Sequence, residues 1–307
     1  MKKWILKAVV QKAISYLPYK ERVNFLFQKY VTKGVDLDDR HFEYKLDAAR
    51  DHMKYYKKYG NTPREDALVL ELGTGWYPIV PTMLYLADFK GTVSIDISNW
   101  MNLERQLTAF QKIIAYYDDG KLARYSDNIN TDKIERLRGI RDNREDYTIA
   151  EVNAIINLEY KLMDATSLEF GAETFDLICS NNTFEHVHEG VLRGILKEFK
   201  RVVKADGVMS HFIDLSDHFA HLDATINIYH YLRFSKKTWS RIDNDIQPQN
   251  RLRWPDYLEM YKELGIGVRE EDYREGSVQL LSEVPLHEEY AAYTPEELAI
   301  SHGYLVS

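Results

Sequence analysis

The sequence predicts an α/β fold: a doubly wound, mostly parallel sheet of seven strands, with N-terminal helices and helical insertions. Two patterns support it. Short apolar runs alternate with helical stretches from residue 67 onward, the rhythm of parallel βαβ units. The first run also empties directly into a glycine-rich turn and then a helix, Val69-Leu70-Glu71-Leu72-Gly73-Thr74-Gly75-Trp76-Tyr77-Pro78.

The elements follow in order. Residues 1–17 place Leu6, Val9, Val10, Ala13, Ile14 and Leu17 on one helical stripe, with Lys2, Lys3, Lys7 and Lys12 elsewhere. Lys7 interrupts the apolar run and no small-residue cleavage site follows, which argues against a signal peptide. The expectation is an amphipathic helix packed on the domain. The alternative is a basic helix lying on an anionic membrane surface, a peripheral contact that Trp4 would suit equally. Residues 19–59 read as helical, charged and rich in tyrosine, closed by Gly60 and Pro63. Residues 1–60 thus read as a helical extension to a domain of residues 61–307.

Within that domain, residues 67–72, 92–96, 160–163, 175–180 and 208–213 read as strands. Residues 79–88, 101–117 and 191–203 read as helices. Two insertions interrupt the rhythm. Residues 118–157 are rich in Asp, Arg and Lys and predict one or two solvated helices over the sheet edge. Residues 216–255 are rich in aromatics and histidine and are expected to cap an acceptor pocket. A helix over residues 254–264 ends at Gly265, a sixth strand starts within 266–268, and a last strand lies near 304–306.

Composition narrows the function. The chain has 307 residues, long enough for one large domain or two small ones. A formal net charge of −8 argues against a general nucleic-acid binder. The single cysteine, Cys179, excludes an internal disulfide framework and fits a reducing cytoplasm. No apolar stretch approaches the roughly 20 residues that span a bilayer.

Gly73 and Gly75 let the backbone turn tightly and approach a ligand. Asp96 ends the next strand, where a carboxylate can accept hydrogen bonds from both hydroxyls of a ribose. A dinucleotide site predicts the same acid. Here, however, Tyr77-Pro78 stands where a third glycine would allow the close helix approach that a pyrophosphate exploits. That departure favours a nucleoside ligand without a phosphate. Asp164-Ala165 after the third strand can meet an adenine. The fourth strand runs into a polar turn, Phe175-Asp176-Leu177-Ile178-Cys179-Ser180-Asn181-Asn182-Thr183-Phe184-Glu185-His186-Val187.

This order of motifs, from about residue 67 to 213, resembles the class I S-adenosylmethionine (SAM)-dependent methyltransferases, whose fold is Rossmann-like. The resemblance implies SAM as cofactor. By position it implies that Glu71, Gly73, Thr74 and Gly75 line the methionine part, that Asp96 and Ile97 hold the ribose end, that Asp164 and Ala165 meet the adenine, and that Asn181 backs the pocket. The Glu71–Pro78 variant and the tail after the fifth strand are similar to bacterial methyltransferases of surface-glycan or other small-molecule pathways. An NAD-dependent oxidoreductase, and a non-catalytic scaffold whose pocket Trp76 or Tyr77 fills, stay open as alternatives. The Asn-Pro-Pro-Tyr turn of many base-amino methylators is absent.

Methyl transfer from a sulfonium needs alignment above all, and an oxygen acceptor also needs its proton removed. His186 is the first candidate base and His218 the second, with His188, His211 and Asp214 also near strand ends. Glu185 reads as a helix-start acid or an acceptor contact. Asp214, Asp217, His218, His221 and Asp223 fit no single metal pattern, so no metal site is expected. Tyr229, Tyr231, Phe234 and Trp239 read either as stacking surfaces for a sugar or aromatic acceptor or as the cap's own core. Arg233, Arg251 and Arg253 read either as phosphate or carboxylate grips or as surface partners of nearby aspartates. The expected partner is a small-molecule or glycan-linked acceptor, methylated at oxygen, and no nucleic acid.

Overall fold

The computed structural model describes residues 2–17 and 37–307. Its helices are α1 (Lys3–Ser15), α2 (Asp39–Tyr59), α3 (Ile79–Leu86), α4 (Leu103–Asp118), α5 (Thr131–Asp142), α6 (Ile149–Ile155), α7 (Glu189–Val202), α8 (Lys236–Ile242), α9 (Trp254–Glu263), α10 (Val278–Ser282) and α11 (Pro295–Ala299). Its strands are β1 (Leu68–Leu72), β2 (Gly91–Asp96), β3 (Leu158–Leu162), β4 (Phe175–Asn181), β5 (Val203–Asp214), β6 (Glu270–Arg274) and β7 (His302–Val306). They form one seven-stranded sheet in the order β3-β2-β1-β4-β5-β7-β6. Of the helix expected over residues 19–59, the part before residue 37 lies outside the described residues.

The order reverses at β1. The chain adds β2 and β3 on one side, then returns to place β4 on the other, with β1–β2, β1–β4 and β2–β3 all parallel. Met209 and Ser307 exchange both backbone bonds at 2.9 Å, the signature of an antiparallel pair that makes the sheet mixed. A reversal of this kind opens a crevice at the carboxyl ends of the flanking strands, where open α/β sheets hold ligands.

Two compact units are distinguished by their internal contacts. The first, the glycine-turn unit, comprises Leu37–Asn181, Gly194–His211 and Val306–Ser307. Strand β4 is buried at every residue, and so carries apolar side chains on both faces. Helix α2 starts at Asp38, whose carboxylate caps the His41 amide at 2.8 Å. It buries Phe42, Leu46, Ala49, Met53 and Tyr56 along one face. Asp176 pins the entry to β4, accepting from Thr62 Oγ1 (2.6 Å), the Leu68 amide (2.9 Å) and Lys204 Nζ (2.7 Å). Helices α5 and α6 occupy the first insertion. Helix α5 is not simply solvated, because Ile134, Leu137 and Ile140 are buried.

The second, the histidine unit, holds the described N-terminal residues, Asn182–Arg193 and Phe212–Leu305. Its centre is a guanidinium. Arg253 is 0% exposed and donates to the carbonyls of Leu215 (2.9 Å), Leu298 (2.9 Å) and Ile300 (2.6 Å) and to the Tyr231 hydroxyl (2.8 Å). Arg251 donates to the carbonyls of Tyr231 and Phe234. The expectation that these arginines grip an anion is therefore replaced: they tie irregular backbone that has no ladder to pair with. Tyr229, Tyr231 and Trp239 are buried with Phe219 and Leu232, so these aromatics are the unit's core and not an open stacking surface.

The other departures have similar causes. Helix α1 forms, but the buried residues are Ala8, Gln11 and Ile14, while Leu6, Val9 and Leu17 from the expected stripe are exposed. Trp4 sets this rotation. Its ring meets Phe219, His230 and Phe234 at centroid distances of 6.1, 4.9 and 5.9 Å, and its amide donates to Asp223. Strand β6 begins after the expected residues 266–268, because Gly265 (φ 62°) ends α9 and Ile266 is buried beyond it. The observed β6 is the charged sequence Glu-Glu-Asp-Tyr-Arg at the sheet edge, where charge discourages pairing with another chain. Among the described residues, no helix is long and apolar enough to cross a membrane.

Replacing Arg253 by Met keeps the volume but strands buried carbonyls. Chemical denaturation should show a loss of about 3 kcal/mol or more. A loss below about 1 kcal/mol would contradict the role given to this side chain.

Candidate functional site

The glycine turn follows from β1 and is braced from below. Glu71, the fourth residue of β1, is 5% exposed and faces Ser94 across the ladder. Its carboxylate accepts from the Thr74 hydroxyl and, at 3.1 Å, from Ser94 Oγ. Burial pushes its pKa up from the ordinary 4.5, with the Thr74 bond, Lys45 and the Ser94 bond opposing. Gly73 and Gly75 both sit at positive φ, 78° and 72°, a conformation costly to any residue with a Cβ. The Gly73 amide donates to the Ile95 carbonyl at 2.9 Å, which ties the turn to β2. A Cβ placed on Gly75 would meet nothing within 4 Å, so this face of the turn is open.

Asp96 completes the network from β2. It is 9% exposed, and its carboxylate is hydrogen-bonded by the backbone amides of Ser98, Gly75 and Ile97 and by Trp100. Burial dominates and raises its pKa against those bonds. Glu71, Gly73, Thr74, Gly75 and Asp96 thus form one connected group. Ile97 follows it, 83% exposed. The Met163 amide bonds the Asp96 carbonyl at 3.0 Å, which puts Asp164-Ala165 beside the end of β2. Asp164 is exposed and accepts from its own turn, the Thr166 amide (2.8 Å) and hydroxyl (2.7 Å), while Ala165 is buried. Asn181 ends β4 one position past the Ser180–Leu72 pairing and is 7% exposed. All nine expected cofactor residues lie at the carboxyl ends of β1 to β4 within one unit.

Several residues escaped the sequence reading. Ser94 holds Glu71; the signal for it was a lone polar residue inside an apolar strand. Trp76 packs against Trp100 in a tilted pair with centroids 4.4 Å apart, and Arg105 lies over Trp76 at 4.5 Å. The Tyr160 hydroxyl donates to the Ser98 carbonyl at 2.9 Å, fastening the loop after β2. These three aromatics come from separate segments, so no local pattern announces them. A cavity of about 550 Å³ in the same unit, lined by Arg64, Lys90 and Asn157 among others, lies at the amino ends of β2 and β3, away from the glycine turn.

In the histidine unit, Glu185 and His186 lie in a single 3₁₀ turn directly after β4. Asn250 clamps that turn: its Nδ2 donates to the carbonyls of Phe184 and Val187, both at 2.8 Å, and its amide to that of Glu185 at 2.9 Å. The ring of His186 lies 4.9 Å from that of His218, and His221 stacks on His218 at 5.4 Å. His186 Nδ1 donates to the Pro248 carbonyl at 2.6 Å, which leaves its lone pair on Nε2. Burial and the neighbouring His218 pull its pKa down to about 4, so the ring is neutral at pH 7. Glu185, His186 and His218 each offer one ligand atom, all within 4.8 Å of one another. Lys7 from α1 and Gln249 line a small enclosed space against His218.

The other candidate groups are already engaged. His211, in the glycine-turn unit, is fully buried, bonds Ser180 Oγ at 2.8 Å and stacks on Phe199; burial drives its pKa well down. Asp217 pairs with His230 Nδ1 at 3.2 Å, and Asp223 with the Trp4 amide and Thr225. His188 is exposed.

Comparison with known proteins bears on this geometry. A family model described as a methyltransferase domain matches residues 128–210. No significant match is found among curated proteins. Solved structures resemble the chain at low identity. A protein from Pyrococcus horikoshii is 19% identical over 61% of this chain and 65% of its own, with a TM-score of 0.37. A candidate sarcosine dimethylglycine methyltransferase from Galdieria sulphuraria is 14% identical over 89% of each chain, with a TM-score of 0.47. The geranyl diphosphate C-methyltransferase of Streptomyces coelicolor, solved with Mg2+, geranyl diphosphate and S-adenosylhomocysteine, is 11% identical over 83% of this chain and 77% of its own, with a TM-score of 0.44. The matched residues 128–210 hold β3, β4 and α7, so this part of the chain is similar to a methyltransferase domain, while the glycine turn and Asp96 lie outside the match.

The raised pKa of Glu71 has a measurable consequence. The folded state holds this proton more tightly than the unfolded state, so the stability linked to Glu71 declines as pH rises from 4.5 through the folded value. The unfolding free energy of the wild type minus that of Glu71→Gln should shrink between pH 4.5 and 7. A difference independent of pH would remove the burial argument.

Proposed function

We propose that this chain moves the methyl group of SAM to an oxygen of a small-molecule or glycan-linked acceptor. The observation that carries the oxygen assignment is the His186 ring. It is neutral, its Nδ1–H is committed to the Pro248 carbonyl, and the lone pair on Nε2 is left to take up a proton. A hydroxyl acceptor needs that help and a neutral amine does not. His218 is the second candidate for the same task.

In this reading Glu71, Gly73, Thr74, Gly75, Asp96, Ile97, Asp164, Ala165 and Asn181 contact the cofactor. The protein's work is to hold the acceptor oxygen in line with the sulfonium methyl and to exclude water. Residues 216–255 form the acceptor-binding part of a methyltransferase domain of residues 61–307. The oxidoreductase reading is not favoured, since Tyr77-Pro78 leaves no close approach for a pyrophosphate.

The test is to follow S-adenosylhomocysteine release over a panel of sugar, catechol and hydroxy-acid acceptors with matched amines. Hydroxyl acceptors should turn over, and His186→Ala should cut turnover on the order of a hundredfold while SAM affinity stays within about twofold. Turnover on the amines alone, or an undiminished variant, would refute the assignment.

A further inference from the structure

We propose that Glu185, His186 and His218 bind one divalent transition-metal ion. The proposal rests on the reading above for its oxygen acceptor and puts an ion in place of the free His186 base, and the binding itself can be measured without any methyl transfer.

Three features of the cluster point to a cation. The donor set is two imidazoles and a carboxylate, a combination that suits zinc, iron and similar ions and leaves coordination positions open. Its ligand atoms lie within 4.8 Å of one another. Around an ion with bonds of about 2.0–2.2 Å, donors stand roughly 3–4 Å apart, so closure needs movements of about an ångström. Glu185 is 3% exposed, and a buried carboxylate beside two imidazoles is a favourable place for positive charge.

The second feature is the outer support. Metal-binding histidines commonly donate their other ring N–H to a carbonyl or carboxylate, which fixes the tautomer. His186 does this through Nδ1 to Pro248 at 2.6 Å. The Asn250 clamp fixes the backbone of Glu185 and His186 in the same way. The third feature is a second carboxylate. His218 Nε2 is buried and pairs with Asp214 Oδ2 at 3.4 Å, which places Asp214 as a further oxygen donor. Lys7 is the cation that acts on this cluster from α1. Burial lowers its pKa, with Asp217 opposing.

With the ion bound, His186 Nε2 is a ligand and not a free base. The ion then lowers the pKa of an oxygen bound in an open position. An acceptor with two adjacent oxygens, such as a vicinal diol or a hydroxy acid, would occupy two such positions.

The experiment uses the full chain stripped with a chelator and titrated with Co2+ alone, read by visible absorption and elemental analysis. About one Co2+ should bind per chain, and Glu185→Gln and His218→Asn should each weaken it tenfold or more. Circular dichroism verifies that the variants fold. Zinc K-edge absorption on the wild type gives the ligand shell without any variant, and two imidazoles are expected. No bound Co2+, an unchanged affinity in folded variants, or fewer than two imidazoles would overturn the site. SAM titrated into the same samples separates the two claims. SAM binding without Co2+ refutes only the metal site, and Co2+ binding without SAM refutes only the methyltransferase reading.

Discussion

The glycine-turn unit depends on one constraint, the hold that a buried carboxylate keeps on the turn after β1. Gly73 and Gly75 supply backbone freedom, and freedom alone would leave the turn in many conformations. Glu71 removes that choice by bonding Thr74 inside the turn and Ser94 on the neighbouring strand. The Gly73 amide on Ile95 and the Gly75 amide on Asp96 fix the turn to β2. The result is an open glycine face with an acid beside it. A ligand meets a surface already organised, so little of its binding energy is lost in ordering the protein.

The histidine unit solves a different problem. Much of it is irregular, and irregular backbone leaves carbonyls without ladder partners. Arg253 and Arg251 answer with guanidinium bonds to five carbonyls, those of Leu215, Leu298, Ile300, Tyr231 and Phe234. Asn250 does the same for the turn that carries Glu185 and His186. The arginine bonds run from the terminal nitrogens, while Arg251 Nε and Arg253 Nε make no hydrogen bond among the described residues. These are expensive residues to bury. Their number near the histidines marks a region whose loops must be held in place.

Much of this was legible in the sequence, for physical reasons that differ by residue. The strands read clearly because parallel strands are buried on both faces, and Phe175–Asn181 carries the apolar run Leu177-Ile178-Cys179 at its centre. Gly73 and Gly75 read clearly as a turn because both stand at positive φ, and Asp96 because it ends the next strand. What stayed hidden depends on long-range contact. The stripe Leu6, Val9 and Leu17 looked like a packing face, but those residues are exposed, and Trp4 packs its ring against Phe219, His230 and Phe234. Arg253 read either as an anion grip or as a surface charge, and it is buried at the core of its unit. The strand expected at residues 266–268 moved to Glu270–Arg274, a segment too charged to show any strand pattern. The cluster of Glu185, His186 and His218 was invisible as a cluster because its members come from two separate segments.

The central claim is that the braced turn and Asp96 form the SAM site. Calorimetric titration of SAM, with NAD as the control ligand, into the wild type and Asp96→Ala tests it most directly. Losing hydrogen bonds from ribose hydroxyls to a charged acceptor costs about 1.5–3 kcal/mol, so the account predicts SAM binding that weakens roughly ten- to a hundredfold in the variant, with no NAD binding. Binding of NAD without SAM, or an unchanged SAM affinity in Asp96→Ala, would contradict it.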